Sequence, residues 1–163
     1  MNELTGAPGR STSEVFVLDD VDRAIITELQ ADGRMSYADL SPKVGLSQAA
    51  VRQRVNRLLE RGVMQVVAVT DPLSLGLATQ AMVGITVSGD VRTVAAAVSE
   101  CREAEYVLIT TGRYDVLAEV ICEDNDALLD LVNDRIQSIE GVVSTEVFSI
   151  LKMEKMTFAW GTG

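Results

Sequence analysis

The chain has 163 residues, 47% hydrophobic and 23% charged, with a formal net charge of −10. This is the balance of a folded soluble chain large enough for one ordinary domain or two small ones, and no apolar run approaches the ~20 residues that cross a bilayer. Histidine is absent and Cys101 and Cys122 stand far apart, which excludes a zinc site, a histidine-based triad and a paired-cysteine redox motif, so no metal or cofactor is expected.

Residues 1–17 are rich in Gly, Ser, Thr and Pro without periodicity and read as a disordered arm. They lack the basic and apolar regions of a secretion signal, so the expected location is cytoplasmic. Asp19 is predicted to cap a helix with Val21, Ile25, Ile26 and Leu29 on one stripe and Gly33 as its stop. Ser36, with Asp39 three residues on, predicts a capping box and a second helix that buries Leu40 and Val44 and ends at Gly45. Pro42 falls inside that helix, where it removes a backbone bond; the helix is either kinked or starts later than Ser36. A third helix is predicted from Ser47 to Gly62. The connection Gly45-Leu46-Ser47 is the short glycine-containing turn of a helix-turn-helix.

On the third helix Val51, Val55 and Leu58 form the buried stripe. Ala49, Arg52, Gln53, Asn56 and Arg57 point the other way, flanked by Arg54 and Arg61, with Glu60 as the only acid. Arginine, glutamine and asparagine can each bond two atoms of a base edge in the major groove, and Ala49 and Ala50 allow close approach. Arg52, Gln53 and Asn56 are therefore predicted to read bases and Ser47, Arg54 and Arg57 to position phosphates, with Gln48 and Ala49 completing the DNA-facing set. The alternative is a solvated face, which would ordinarily mix glutamate with lysine. Charge is uneven along the chain: residues 18–70 hold seven acids and seven bases, whereas fifteen acids face six bases from Asp71 onward. Val63 to Val69 is β-branched and predicted to be a strand, which would make residues 18–70 a winged helix-turn-helix. Asp71-Pro72 and the following Leu-Ser-Leu-Gly mark a linker or hinge at 71–78.

From Thr79 the pattern alternates. Predicted strands cover Thr79–Val87, Glu105–Thr110, Asp115–Cys122 and Val142–Leu151. Helices are capped by Asp90, with Val91, Val94 and Val98 inward, and by Asp124, with Leu128, Val132, Ile136 and Ile139 inward and Gly141 as the stop. The order β-α-β-β-α-β is the split ferredoxin-like arrangement. Its sheet carries helices on one face, and a second copy is the simplest cover for the other. The expected class is thus α+β, an N-terminal winged helix-turn-helix hinged to a C-terminal ferredoxin-like domain.

The segments LDDVDRAIITELQADGR, VGLSQAAVRQRVNRLLERGV, DPLSLG and TTGRYD occur in this order over about Leu18 to Gly161. Together they resemble the Lrp/AsnC family of bacterial and archaeal transcription factors. The resemblance implies double-stranded DNA as one partner and an amino acid or related metabolite as effector. It implies homodimers that assemble further to tetramers or octamers, with residues 79–163 as the sensing and oligomerisation domain. It also implies an effector site near the turn between the second and third strands of that domain, here Thr110 to Asp115, with Thr145 contributing from the last strand. In that turn Thr111 and Gly112 leave room for a ligand, Arg113 can pair with a carboxylate and Asp115 can accept from an ammonium group. The alternative is that Gly112 serves a tight hairpin and Tyr114 packs. Where relatives have Gly-Tyr after the third helix, this chain has Gln65-Val66-Val67 in a segment one residue shorter, and Pro42 replaces a good helix former.

Two rival classes stand beside this reading. A metabolic enzyme or regulatory subunit built on the ferredoxin-like module would need a phosphate loop or a converging acid pair, and no such motif is present. A winged helix devoted to protein contacts would not need an all-polar face with four arginines. Both cysteines are expected to be buried and inert.

Overall fold

A computed structural model describes residues 16–157; most of the predicted arm, residues 1–15, lies outside them. The chain divides into two compact units, one formed by the described residues up to Ala68 with Met156 and Thr157, the other by Val69–Lys155.

The first unit contains α1 (Asp20–Ala31), α2 (Tyr37–Val44) and α3 (Gln48–Glu60). Each starts at a side chain that satisfies an orphan backbone donor. Asp19 accepts from the backbone N–H of Asp22 at 2.7 Å, and Ser47 accepts from that of Ala50 at 3.3 Å. Ser36 accepts from the Asp39 N–H at 3.1 Å while its hydroxyl donates to the Asp39 carboxylate at 2.6 Å. Gly45 ends α2 in the left-handed region (φ 69°, ψ 28°), which turns the chain into α3 within three residues. The helices close on Ile25, Ile26, Leu40, Val51, Val55 and Leu58.

Pro42 lies within α2, which nevertheless begins at Tyr37 directly after its cap. The later start considered above does not occur. The bond that proline forfeits would have gone to the carbonyl of Ala38, an exposed residue where water can replace it. The strand predicted at Val63–Val69 is also absent: the segment is irregular, and Val66, Val67 and Val69 are each more than half exposed. β-branched residues favour extended backbone, but a strand requires a partner for its peptide groups. The only sheet among the described residues lies in the second unit. The helix-turn-helix is therefore present without a wing formed by this segment.

In the second unit β1 (Thr79–Val87), α4 (Val91–Ser99), β2 (Ala104–Ile109), β3 (Val116–Cys122), α5 (Asn125–Asp130) and β4 (Val142–Ser149) follow in the predicted order. The four strands form one antiparallel sheet in the order β2-β3-β1-β4. Ala81, Val83 and Ile85 on β1 and Val116, Ala118, Val120 and Cys122 on β3 face a core shared with Val94, Val98, Leu128, Leu131, Val132 and Ile136. The helix after Asp124 is less regular than predicted. Beyond α5 it widens to a π-helical segment, Leu131–Ile136, and the backbone N–H of Gln137 bonds the carbonyl of Val132 five residues back at 2.9 Å. Widening places Leu131 and Ile136, five apart, on the same buried side. Asp71 braces a short 3₁₀ turn, Leu73–Leu75, accepting from the N–H of Ser74 at 3.1 Å and from its hydroxyl at 2.6 Å. Cys101 and Cys122 are free, buried thiols, and burial pushes both thiols above their ordinary pKa.

Candidate nucleic-acid interface and effector site

The α3 residues divide into two groups. Arg52, Gln53 and Asn56 are exposed on the side away from Val51, Val55 and Leu58, and their side chains make no hydrogen bond or ion pair with the described residues. Gln48 and Ala49 are exposed beside them in the first turn, next to the Ser47 cap. Arg54 and Arg57 behave differently. Arg54 Nη1 donates to Asp19 Oδ2 at 2.6 Å and to Asp22 Oδ1 at 2.8 Å. Arg57 Nη2 donates to both oxygens of Asp22, at 3.0 and 2.9 Å, and its guanidinium lies 5.2 Å from the centre of the Phe16 ring. Asp22 is only 1% exposed. The two arginines predicted to hold phosphate thus clamp α3 to the start of α1.

Asp22 was legible as an anomaly: it precedes Ile25, Ile26 and Leu29 by three, four and seven residues, so a carboxylate falls on the apolar stripe. A charge in that position calls for a buried partner. The Arg54 guanidinium, followed by the backbone N–H of Asp22, holds the Asp19 carboxyl below its ordinary value of 3.8.

In the second unit the predicted effector residues are split by the sheet. Tyr114 lies on the open face, its ring directly over Gly84 and edge-on to Phe148 with centroids 5.9 Å apart. Its hydroxyl donates to Glu146, which raises the phenol pKa, with burial adding to the shift. Arg113 pairs with the same carboxylate at 3.2 Å and lies over the Tyr114 ring at 5.4 Å. Thr145 pairs in register with Ile85, whose side chain is in the core, and so turns to the helix-covered face, where it accepts from Gln137 Nε2 at 2.8 Å. Thr145 and Tyr114 do not meet within one chain.

Asp115, expected to accept from an ammonium group, also has a partner within the fold. Its Oδ2 already accepts from the backbone N–H of Val87 at 2.8 Å, and its own N–H donates to the Ile85 carbonyl at 3.0 Å. It fastens the β2–β3 turn to the end of β1. Thr111 and Gly112 are exposed at the tip. Gly112 has no positive φ, and a Cβ there would meet nothing within 4 Å, so the hairpin itself does not require glycine. Glu146 and Phe148 escaped sequence reading because only the strand register reveals them, and Gln137 because only its side-chain bond to Thr145 does. Gly84 could have been found, since glycine inside a β-branched strand marks a close approach.

The comparisons with known proteins agree with this geometry. The AsnC-type helix-turn-helix domain matches residues 18–59 and the Lrp/AsnC ligand binding domain matches residues 80–160. An uncharacterized HTH-type transcriptional regulator of Pyrococcus abyssi is 33% identical over 144 residues, 87% of this chain and 91% of that protein. The chain belongs to the Lrp/AsnC family of transcriptional regulators. Escherichia coli AsnC superposes with a TM-score of 0.79 at 26% identity, covering 88% of this chain and 99% of that one. A Neisseria meningitidis regulator, solved as its L-Met complex, gives 0.79 at 30% identity, covering 88% and 96%. No helix among the described residues of this Lrp/AsnC member is long and apolar enough to cross a membrane.

Two outcomes follow for this Lrp/AsnC chain. Because folding lowers the Asp19 pKa, its contribution to stability is complete above about pH 5 and is lost as pH falls through the lowered value, below about 4. Urea midpoints measured from pH 6 to pH 3 should therefore fall, and Asp19→Asn should fall less steeply over the same range. A Cβ at Gly84 would sit 2.7 Å from the Tyr114 ring. Gly84→Val should expel that ring from the open face and cost about 1–3 kcal/mol in urea unfolding.

Proposed function

We propose that a homodimer of this chain sets two α3 helices into successive major-groove turns of a roughly palindromic duplex and regulates transcription in response to an amino acid or related metabolite. Residues 18–70 are the reading head, 71–78 the hinge and residues from 79 onward the sensing and oligomerisation domain. The protein acts in the cytoplasm and not as an enzyme. The observation that carries the DNA reading is the exposed trio Arg52, Gln53 and Asn56, opposite the buried stripe and uncommitted to other described side chains. Those are the residue types that bond two atoms of a guanine or adenine edge. Ser47, at the α3 cap, and Gln48 and Ala49 in its first turn lie where backbone N–H groups and a hydroxyl can meet phosphate.

The open sheet face supports the dimer. Tyr106, Leu108 and Phe148 stand 44–55% exposed there, beside Leu117 and Met82, on a face that no helix among the described residues covers. Assembly beyond the dimer, to a tetramer or octamer, belongs to the same proposal. The effector reading is supported by Gly112, whose missing side chain the hairpin does not demand, and by the exposed Arg113 guanidinium next to it. The L-Met complex of the Neisseria meningitidis regulator supports an amino acid as the ligand class. Thr111, Gly112 and Arg113 then form the contact edge; Tyr114 and Asp115 hold its shape, and Thr145 contributes from the opposite face through a neighbouring copy.

Selection of bound genomic fragments followed by anisotropy titration tests the DNA reading. Arg52→Ala should lower affinity for the selected duplex about tenfold or more, about 1–3 kcal/mol, and relax the preference at one base position. An unchanged preference would remove this face from the interface. Calorimetric titration with a panel of amino acids tests the effector site: Gly112→Val should abolish the heat of binding seen with the parent protein while leaving its unfolding free energy in urea within about 0.5 kcal/mol of the parent value.

A further inference from the structure

We infer that Asp22 masks two cations of the reading helix, so that Arg54 and Arg57 are withheld from phosphate and DNA attraction is left to the outward face of α3. The inference rests on the reading that α3 docks against duplex DNA. Its basis is the layering of the cluster. Asp22 is at 1% exposure, beneath Arg54 and Arg57, whose side chains retain 27% and 44%. The four charges balance, two carboxylates against two guanidiniums. Arg54 bridges both acids, Arg57 addresses both oxygens of Asp22, and the Phe16 ring stacks beneath the Arg57 guanidinium.

A phosphate that drew either arginine away would leave Asp22, which cannot reach water, with one guanidinium in place of two. Weakening the compensation of a buried carboxylate costs more than an exposed phosphate contact contributes. The arginines therefore release few counterions on DNA binding, and non-specific affinity stays low. Arg52 and the helix-terminal Arg61 remain as the uncommitted cations of α3. Asp22 is a positioning residue in this scheme: it touches no base or phosphate, and acts through the two side chains it holds.

The salt dependence of binding separates this role from a merely structural one. Full-length protein is titrated into a random-sequence duplex by fluorescence anisotropy across a range of salt concentrations. Asp22→Asn should steepen the slope of log K against log[salt] by about 1–2 per protomer, as one or two freed arginines meet phosphate, and raise low-salt affinity severalfold. A folded Asp22→Asn protein with the parental slope, or with weaker binding at all salts, overturns the inference. Should circular dichroism find that variant unfolded, Arg54→Gln decides. A masked Arg54 leaves the slope at its parental value, whereas Arg52→Gln lowers it by about 1. An equal drop for both overturns the masking. Parent protein that ignores the duplex at low salt would instead overturn the docking reading on which the inference stands.

Discussion

A carboxylate at 1% exposure must be compensated, and Asp22 achieves this through two arginines of α3. Its partners come from a helix more than thirty residues away, so the ion pair is also a tertiary constraint. It fixes the rotation of α3 about its own axis as well as its contact with α1. Hydrophobic packing alone would fix this loosely, because Val51, Val55 and Leu58 are aliphatic and tolerate small rotations. Two guanidiniums bonded to one buried carboxylate do not. With Arg54 and Arg57 held on one side, Arg52, Gln53 and Asn56 are carried to a defined outward position. A reading surface must present side chains in register with base edges, so this rotational constraint links the buried charge to the proposed recognition.

The second unit obeys a different constraint. Helices α4 and α5 cover one side of a four-stranded antiparallel sheet, and alternation along the strands then decides the side of every residue. Ala81, Val83 and Ile85 go to the core; Met82, Gly84 and Phe148 go to the open face. Tyr114 reaches the open face from the β2–β3 turn and occupies the space that Gly84 leaves. Arg113 is thereby brought beside Glu146, so the turn's one cation already has a carboxylate at 3.2 Å. An incoming anion at Arg113 would exchange one exposed charge pair for another, at small net cost.

Most of this architecture was legible because its signals are local. Capping side chains, the left-handed Gly45 and the two hydrophobic periods each act within a few residues, and they located the helices, the helix-turn-helix turn and the strand order. What escaped depends on partners distant in sequence. The β-branched run at Val63–Val69 satisfied a propensity but lacked a strand to pair with. The regular helix expected up to Gly141 yields to a π-segment because Leu131 and Ile136 both gain burial when five residues complete the turn. At the candidate sites, residue type drew attention to the arginines of α3, but periodicity could not say which of them pair within the fold. The intramolecular partners of Arg54, Arg57 and Asp115 escaped it for one reason. A polar side chain chosen for its chemistry also answers to the fold that displays it.

The same point resolves the apparent conflict between an acidic chain and a nucleic-acid partner. Net charge governs long-range behaviour only where charges act unscreened, and at physiological salt the screening length is about 8 Å. Attraction to a groove is therefore set by the cations within that distance of phosphate and by whether they are free to approach. Fifteen of the acids lie from Asp71 onward, outside the helix-turn-helix, while residues 18–70 are balanced. Within that balanced segment Asp19 and Asp22 neutralise two arginines and Glu28 holds Lys43 at 2.5 Å. Pairing thus reduces a nominally basic helix to a small number of available charges. Binding that relies on so few phosphate contacts must draw the rest of its free energy from base edges, where sequence is read. An acidic chain with a sparsely cationic reading helix is consequently suited to discriminate among duplexes rather than to coat them.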